Sequence, residues 1–378
     1  MKGPLHALAF TFASLIPSAA ADWRSVMLHP GWPARGTSAL ATGGGLQGGY
    51  ASLPTPPFDV VADQPMIWET SSASMRSLLP AEGAWYGGQI VGMSALYQVG
   101  NLNDGSGLPS PVRWQGSAET CVLLPQDRVN YLAHTVDGTA GRQAVGSANH
   151  ARTGNRNAIL WDFDSASPTV LHPAGARWSY ATATDGRTQG GRVFFNTFGQ
   201  FHAALWSGSA DSYVDLHPAG MRRSEVHGVA DGVQVGEALT TQGRARAMLW
   251  RGTAQSAVDL TPDDVYQAWV YATTGQYHVG TTYTLDVGSR ATLWLSDDPA
   301  SAVNLHHFLD DGWITSTAVS ASMHDGKLYI SGRGSHRDYL REVAVVWVLD
   351  NVPAPGTLAL PLAAAAPLAL RRRRTTRP

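Results

Sequence analysis

Short apolar runs closed by tryptophan alternate along this chain with polar, glycine-rich stretches. Between Leu216 and Trp250 the apolar positions read Val226-x-x-Val229, Val233-x-Val235 and Ala247-Met248-Leu249-Trp250. None of them holds a 3.6-residue period over about ten positions, so the spacing predicts strands rather than helices. Turn chemistry separates the strands: Asp231-Gly232 suits a tight hairpin, and Gln242-Gly243 opens a looser loop. Arg251-Gly252 to Gln255 then joins Trp250 to a fourth apolar run, Ala257 to Leu260. Runs such as Ala203-Ala204-Leu205-Trp206 lack strict alternation, as expected of a strand covered on both faces.

The unit repeats. A leucine two residues before a proline anchors one end, at Leu28, Leu78, Leu123, Leu171, Leu216 and Leu260, with Leu305 in the same place but without its proline. Tryptophan closes the other end, at Trp68, Trp114, Trp161, Trp206, Trp250, Trp294 and Trp347. Leucine spacings are 50, 45, 48, 45, 44 and 45, and tryptophan spacings 46, 47, 45, 44, 44 and 53. Four strands in about 45 residues is the dimension of one propeller blade, and helical or leucine-rich repeats fit worse. The array starts on a leucine strand, Ser25 to Leu28, and ends on a tryptophan strand, Val343 to Val348. The expected fold is therefore all-β, a seven-bladed β-propeller of four-stranded blades whose last blade is closed by the N-terminal strand, which removes two exposed sheet edges. In the first copy Gly43-Gly44-Gly45 and Pro54 to Pro57 replace clear strands, so an irregular blade or a surface loop is expected there.

Composition agrees: 44% of the 378 residues are hydrophobic, and 40 Gly with 22 Pro suit many tight turns. Only 15% are charged, the net charge is −2 and the repeats carry no basic patch, which argues against nucleic acid as a partner. The one cysteine, Cys121, has no disulfide partner within the chain and reads as a buried structural thiol.

Both ends differ from the repeats. Residues 1–21 combine Lys2, an apolar middle and Ala19-Ala20-Ala21, which predicts a signal peptide cleaved between Ala21 and Asp22. Residues 22–350 form the propeller, and residues 351–378 a tail with a proline-rich linker, a short apolar stretch and four arginines. That stretch is short for a permanent span, so the membrane contact expected of it is transient. The tail, with Pro353-Ala354-Pro355 and Arg371-Arg372-Arg373-Arg374, resembles the PEP-CTERM sorting signal, with alanine where that family has glutamate. The resemblance implies an exosortase-like processing enzyme as a partner. Copies such as His202 to Trp206, Val214-Asp215-Leu216-His217-Pro218 and Gln234-Val235-Gly236 resemble the HAF family of extracellular repeats. That resemblance implies an exported repeat protein and carries no chemistry.

The candidate chemistry is sparse. His29, His172, His217 and His306 follow the anchor leucine, at one radius and height in different blades, so they are expected to make strand-end hydrogen bonds rather than share a metal. Asp215, Asp259 and Asn304 read the same way. The pairs Asp263-Asp264, Asp297-Asp298 and Asp310-Asp311 lack the ligand spacing of a calcium loop and read as solvated charge. No nucleophile elbow, His-Glu-x-x-His or phosphate loop is present, and no cofactor or metal is implied. His306, His307, Asp310, Asp311, His324 and Asp325 break the repeat in the seventh copy and are the first places to look for catalysis. Each anchor leucine is followed by a large aromatic: Trp32, Trp85, Tyr131, Trp178, Trp269 and Trp313, with Arg222-Arg223 taking the place in the remaining copy. These aromatics either form a ring that stacks on sugars or fill the wedges between blades. The expected function is an exported, monomeric binding or structural propeller at the cell surface or in the extracellular matrix, with a polysaccharide or surface protein as partner. The alternative is a polysaccharide-directed hydrolase or lyase, which requires non-repeating carboxylates and histidines clustered at the channel mouth.

Overall fold

The computed structural model describes residues 23–31, 33–55, 60–195, 200–350 and 352. The N-terminal strand is β1 (Trp23–Met27). Blade 1 is β2 (Gly36–Gly43), β3 (Leu46–Thr55), β4 (Val60–Trp68) and β5 (Arg76–Ser77); blade 2 is β6 (Gly87–Met93), β7 (Gln98–Asn103), β8 (Pro109–Trp114) and β9 (Val122–Leu123). Blade 3 is β10 (Tyr131–Ala140), β11 (Gln143–His150), β12 (Arg156–Asp162) and β13 (Thr169–Val170); blade 4 is β14 (Trp178–Thr184), β15 (Gln189–Phe194), β16 (Phe201–Trp206) and β17 (Val214–Asp215). Blade 5 is β18 (Arg223–Ala230), β19 (Val233–Leu239), β20 (Ala245–Trp250) and β21 (Val258–Asp259); blade 6 is β22 (Gln267–Thr273), β23 (His278–Thr284), β24 (Gly288–Trp294) and β25 (Ala302–Asn304). Blade 7 is β26 (Thr317–His324), β27 (Lys327–Gly334) and β28 (Val343–Leu349), completed by β1, which pairs with β28 from Trp23↔Leu349 to Met27↔Val345. The first strand of every blade packs on the first strand of the next, and β26 returns to β2, so the ring is closed. The chain is thus a seven-bladed propeller of antiparallel four-stranded blades.

Its core lies in the wedges between blades. Ala203, Leu205 and Leu216 of blade 4 pack on Val226, Ala238, Met248 and Trp250 of blade 5, and all seven closing tryptophans are fully buried. Burial of such a side chain stabilises by roughly 1.5–3 kcal/mol, repeated at every seam. In the third copy the buried anchor is Leu124, while Leu123 is 49% exposed at the outer edge of the blade. Counting from Leu124 brings the leucine spacings to 46, 47, 45 and 44 over copies two to six, in step with the tryptophans. In blade 1 Gly44 and Gly45 take φ of 59° and 79° in the β2–β3 turn, and β3 continues through Pro54, which pairs with Val61; Pro56 and Pro57, where a surface loop is expected, lie outside the described residues.

Hydroxyl relays reinforce the seams. The Ala203 amide donates to Ser224 Oγ at 2.9 Å, Ser224 Oγ lies 2.8 Å from His217 Nδ1, and His217 Nε2 lies 3.1 Å from the Met221 carbonyl. A carbonyl only accepts, so the proton sits on Nε2 and the serine hydroxyl donates to Nδ1. The same relay joins Ala158, Ser179 and His172, and again Ala291, Ser316 and His306. His29 Nδ1 instead accepts from the Gly31 amide at 2.9 Å. The expectation of strand-end hydrogen bonds therefore holds at all four histidines. Asp215 Oδ1 and Asp259 Oδ1 accept from the His217 and Thr261 amides, and Asn304 Oδ1 from His306, as expected of residues tying strand to loop.

Every first strand also carries a β-bulge at one shared register, at Leu40, Val91, Asp137, Thr182, His227, Tyr271 and Val319, and β10 has a second irregularity at Leu132. The bulge presses the strand against its neighbour, which explains a glycine at one register in each second strand. A Cβ on Gly236 would lie 1.9 Å from the Glu225 carbonyl oxygen.

Candidate functional site

The bulges aim one side chain per blade into the central channel, where a cavity of about 250 Å³ is lined by all seven. The channel is two-sided. Val319, Leu40 and Val91 make an apolar arc, and Asp137, Thr182, His227 and Tyr271 of blades 3 to 6 a polar one. Asp137 reaches the water of the channel yet has protein on every side; burial pushes its carboxyl up to about 6, against the pull of Arg156 and Arg192 and with the push of Glu225. Burial likewise raises the Tyr271 phenol to about 12, with Glu237 adding to it.

Two residues before the bulge, each first strand places a side chain at the channel mouth: Ser38, Gln89, Thr135, Tyr180, Glu225, Trp269 and Thr317. At this register only blade 5 places an acidic side chain on its first strand, Glu225. Tyr180 stands opposite Arg192, and Glu225 opposite Glu237. A cavity of about 440 Å³ opens there, lined by Trp178, Tyr180, Arg192, Phe201, Arg223, Glu225 and Glu237. The Arg192 guanidinium lies 4.4 Å over the Tyr180 ring and 5.1 Å over Phe201, and pairs with Glu225 Oε2. Arg223 covers Phe201 at 5.0 Å, and its Nη2 is 3.8 Å from Glu237 Oε1. His227 Nδ1 lies 4.0 Å from Glu225 Oε1, linking the cavity to the channel. Both glutamates are more than nine-tenths buried. Buried ion pairs add little net stability because desolvation offsets their attraction. Like charges directly opposite on neighbouring strands are unfavourable. The fold does not require them, since the other blades close without an acidic pair at this register.

The aromatics expected to share a register do not all do so. Trp85, Tyr131 and Trp313 stand six residues before their bulge, Trp178 four and Trp269 two. Tyr131 and Trp313 are buried; Trp85, Trp178 and Trp269 are half-buried. Tyr131 Oη accepts from Asn157 at 3.1 Å, and Trp178 Nε1 donates to Asn155 Oδ1 at 3.0 Å while its ring tilts on Phe194. Trp178 is the one that lines the mouth cavity. Trp32 lies outside the described residues, as do Ala21 and Asp22 of the expected cleavage site and Pro353, Ala354, Pro355, Arg371, Arg372, Arg373 and Arg374 of the tail. No helix among the described residues is long and apolar enough to cross a membrane.

The repeat-breaking residues of the seventh copy do not converge. His306 is held by Ser316 before β26 begins, whereas His324 and Asp325 sit at its far end, a strand length of about 23 Å away. Asp310 Oδ1 binds the Gly312 amide, and Asp297 pairs with Arg251 and His278. Cys121 is half-buried against the wedge between blades 1 and 2, and burial pushes its thiol up to about 11. Glu225, Glu237, His227 and Asp137 escaped sequence reasoning, although Arg222-Arg223, the exception in the aromatic series, marked the right blade.

No protein-family model matches the chain, and no curated protein matches it in sequence. Among solved structures it is similar to the β-propeller domain of the trilobed protease from Pyrococcus furiosus, at TM-score 0.51 and 8% identity over 87% of this chain and 98% of that one. That domain is described as having an open velcro topology, whereas here β1 closes the ring. TolB from Acinetobacter baumannii aligns at TM-score 0.45 and 13% identity over 68% of this chain, which spans 62% of its length. The BP39L lectin from Burkholderia pseudomallei aligns at 0.47 and 12% over 88% of this chain and 98% of its own. At these identities the similarity is one of fold: the neighbours share the propeller scaffold.

Proposed function

We propose that this chain is an exported propeller that binds a polysaccharide at the cell surface or in the extracellular matrix, through the mouth cavity of blades 4 and 5. The observation that carries the reading is that cavity. It combines the half-buried Trp178 with the guanidinium groups of Arg192 and Arg223, which lie over Tyr180 and Phe201, and with the acceptors of Glu225 and Glu237. Aromatic faces stack on the apolar faces of sugar rings, and planar guanidinium and carboxylate groups match paired hydroxyls or a uronate carboxylate. A volume of about 440 Å³ is that of an ordinary small-ligand cleft. Export is supported by the layout of residues 1–21 and by the sorting-like tail.

Glycan arrays and affinity electrophoresis test the binding. Trp178→Ala should weaken retention at least tenfold with only a small loss of stability; retention equal to wild type removes the cavity from consideration. For export, the protein recovered outside the cell should begin at Asp22, and removal of residues 351–378 should release it into the medium. A second reading, a hydrolase or lyase at the same mouth, is favoured by Asp137, whose raised carboxyl stands in the channel near Arg192 and Glu225. New reducing ends or unsaturated products from the bound polysaccharide, lost in Asp137→Asn, would establish it.

A further inference from the structure

Glu225, His227 and Glu237 form a site whose chemistry exceeds sugar binding. We infer that these three residues hold one divalent first-row transition-metal ion, of the Zn²⁺ or Mn²⁺ class, in the wall between the mouth cavity and the channel. One ligand atom from each lies within 4.8 Å of the other two, a spread that small side-chain adjustments close around a single ion. The sheet imposes the arrangement: Glu225 and Glu237 are directly opposite across β18 and β19, and the bulge turns His227 towards them.

Two further observations point to a cation. Glu237 is 8% exposed and makes no hydrogen bond among the described residues, its nearest cationic partner being Arg223 at 3.8 Å. A buried carboxylate without a hydrogen bond is costly unless something compensates it. Glu225 divides its oxygens, with Oε2 on Arg192 and Oε1 turned towards His227, which leaves Oε1 for a metal. One imidazole and two carboxylates suit a borderline ion, whereas Ca²⁺ prefers six to eight oxygens. Three protein ligands leave coordination open towards the 440 Å³ cavity. The inference does not depend on the cavity taking a glycan.

The full chain, stripped by chelation and dialysis, is titrated with Zn²⁺, Mn²⁺ and Ca²⁺ by calorimetry. One equivalent of Zn²⁺ or Mn²⁺ should bind, at least tenfold more tightly than Ca²⁺, and should raise the unfolding midpoint. Glu237→Gln and His227→Gln should weaken binding at least tenfold, whereas Glu82→Gln, at an exposed site in the loop between blades 1 and 2, should not. Pulsed electron paramagnetic resonance of the Mn²⁺ complex should detect one imidazole nitrogen, a signature absent in His227→Gln, so the assignment survives a variant that fails to fold. Lack of saturable binding by both transition ions overturns it, as does affinity retained in both ligand variants or a Mn²⁺ complex without nitrogen coupling.

Discussion

The seam between blades 4 and 5 and the mouth cavity of the same two blades lie within a few residues of each other and obey different rules. At the seam, Leu216, Trp250 and the Ala203–Ser224–His217 relay have counterparts elsewhere around the ring, because each wedge poses the same packing problem. At the mouth, Glu225 and Glu237 have no acidic counterparts at the same register in the other blades, and they carry buried charge the fold does not need. In a repeat protein the recurring residues build the scaffold, and the exceptions to the recurrence are where chemistry is free to reside.

Four experiments can break or sharpen that contrast. Deleting Trp23 to Met27 bares the β28 edge and uncovers the last seam, so the shortened chain should lose its cooperative unfolding transition or self-associate. A monomer with wild-type unfolding would show that ring closure is dispensable. Next in size, Trp250→Ala should cost about 3–5 kcal/mol in denaturant unfolding. Trp178→Ala, half-buried at the mouth, should cost about 1 kcal/mol. Equal losses would erase the distinction between seam and site. Gly236→Ala acts within blade 5: relieving a 1.9 Å approach to the Glu225 carbonyl should cost about 1–3 kcal/mol.

The smaller effects are pH-dependent and opposite in sign. Burial holds His172, His217 and His306 below the usual imidazole range, His306 down to about 4. The unfolded chain, with imidazoles near about 6.5, takes up protons first on acidification. Their contribution is therefore complete above about pH 6.5 and is lost as pH falls towards 4. The urea midpoint should drop between about pH 7 and pH 5, less so in His306→Gln; an equal drop in that variant would acquit this relay. Asp137 works the other way. Its folded carboxyl titrates near 6 and its unfolded one near about 3.9, so its favourable term is present below about pH 4 and is lost as pH rises through 6. Asp137→Asn should raise the midpoint at neutral pH and leave it unchanged near pH 4, and a lowered neutral midpoint would mean that the ionised form has a stabilising partner.

Much of the scaffold was legible because its signals are local. Asp231-Gly232 announced a hairpin, and the residues take φ of 49° and 78° in one. The tryptophan period gave the blade number because a fully buried tryptophan sits in the third strand of every blade. The leucine anchor slipped by one position in the third copy because Pro125 directly follows Leu124 there, and the rule leaned on the proline rather than on burial. In blade 1 the glycines that looked like a broken strand form a tight turn and Pro54 is paired within β3, while Pro56 and Pro57 lie outside the described residues. The mouth was hidden for a deeper reason. Which face of β18 Glu225 occupies depends on the bulge at His227, and a bulge is a relation between two strands that no single stretch of sequence displays. Glu237 becomes its neighbour only once the hairpin register is known.

The clasp of β1 on β28 joins residues 326 positions apart, Trp23 with Leu349. Contacts that distant are among the slowest to form, since the loop they close is nearly the whole chain. Blades can form in succession as the polypeptide emerges, yet the last seam stays open until β28 has appeared. A chain threaded N-terminus first through a translocation pore would thus complete its ring only after its final strand had crossed, which delays cooperative closure until folding can no longer obstruct passage. With Arg24 lying 3.7 Å from Asp350, the two ends of the finished ring leave it side by side, and a tether at one would hold the other at the same distance from its anchor.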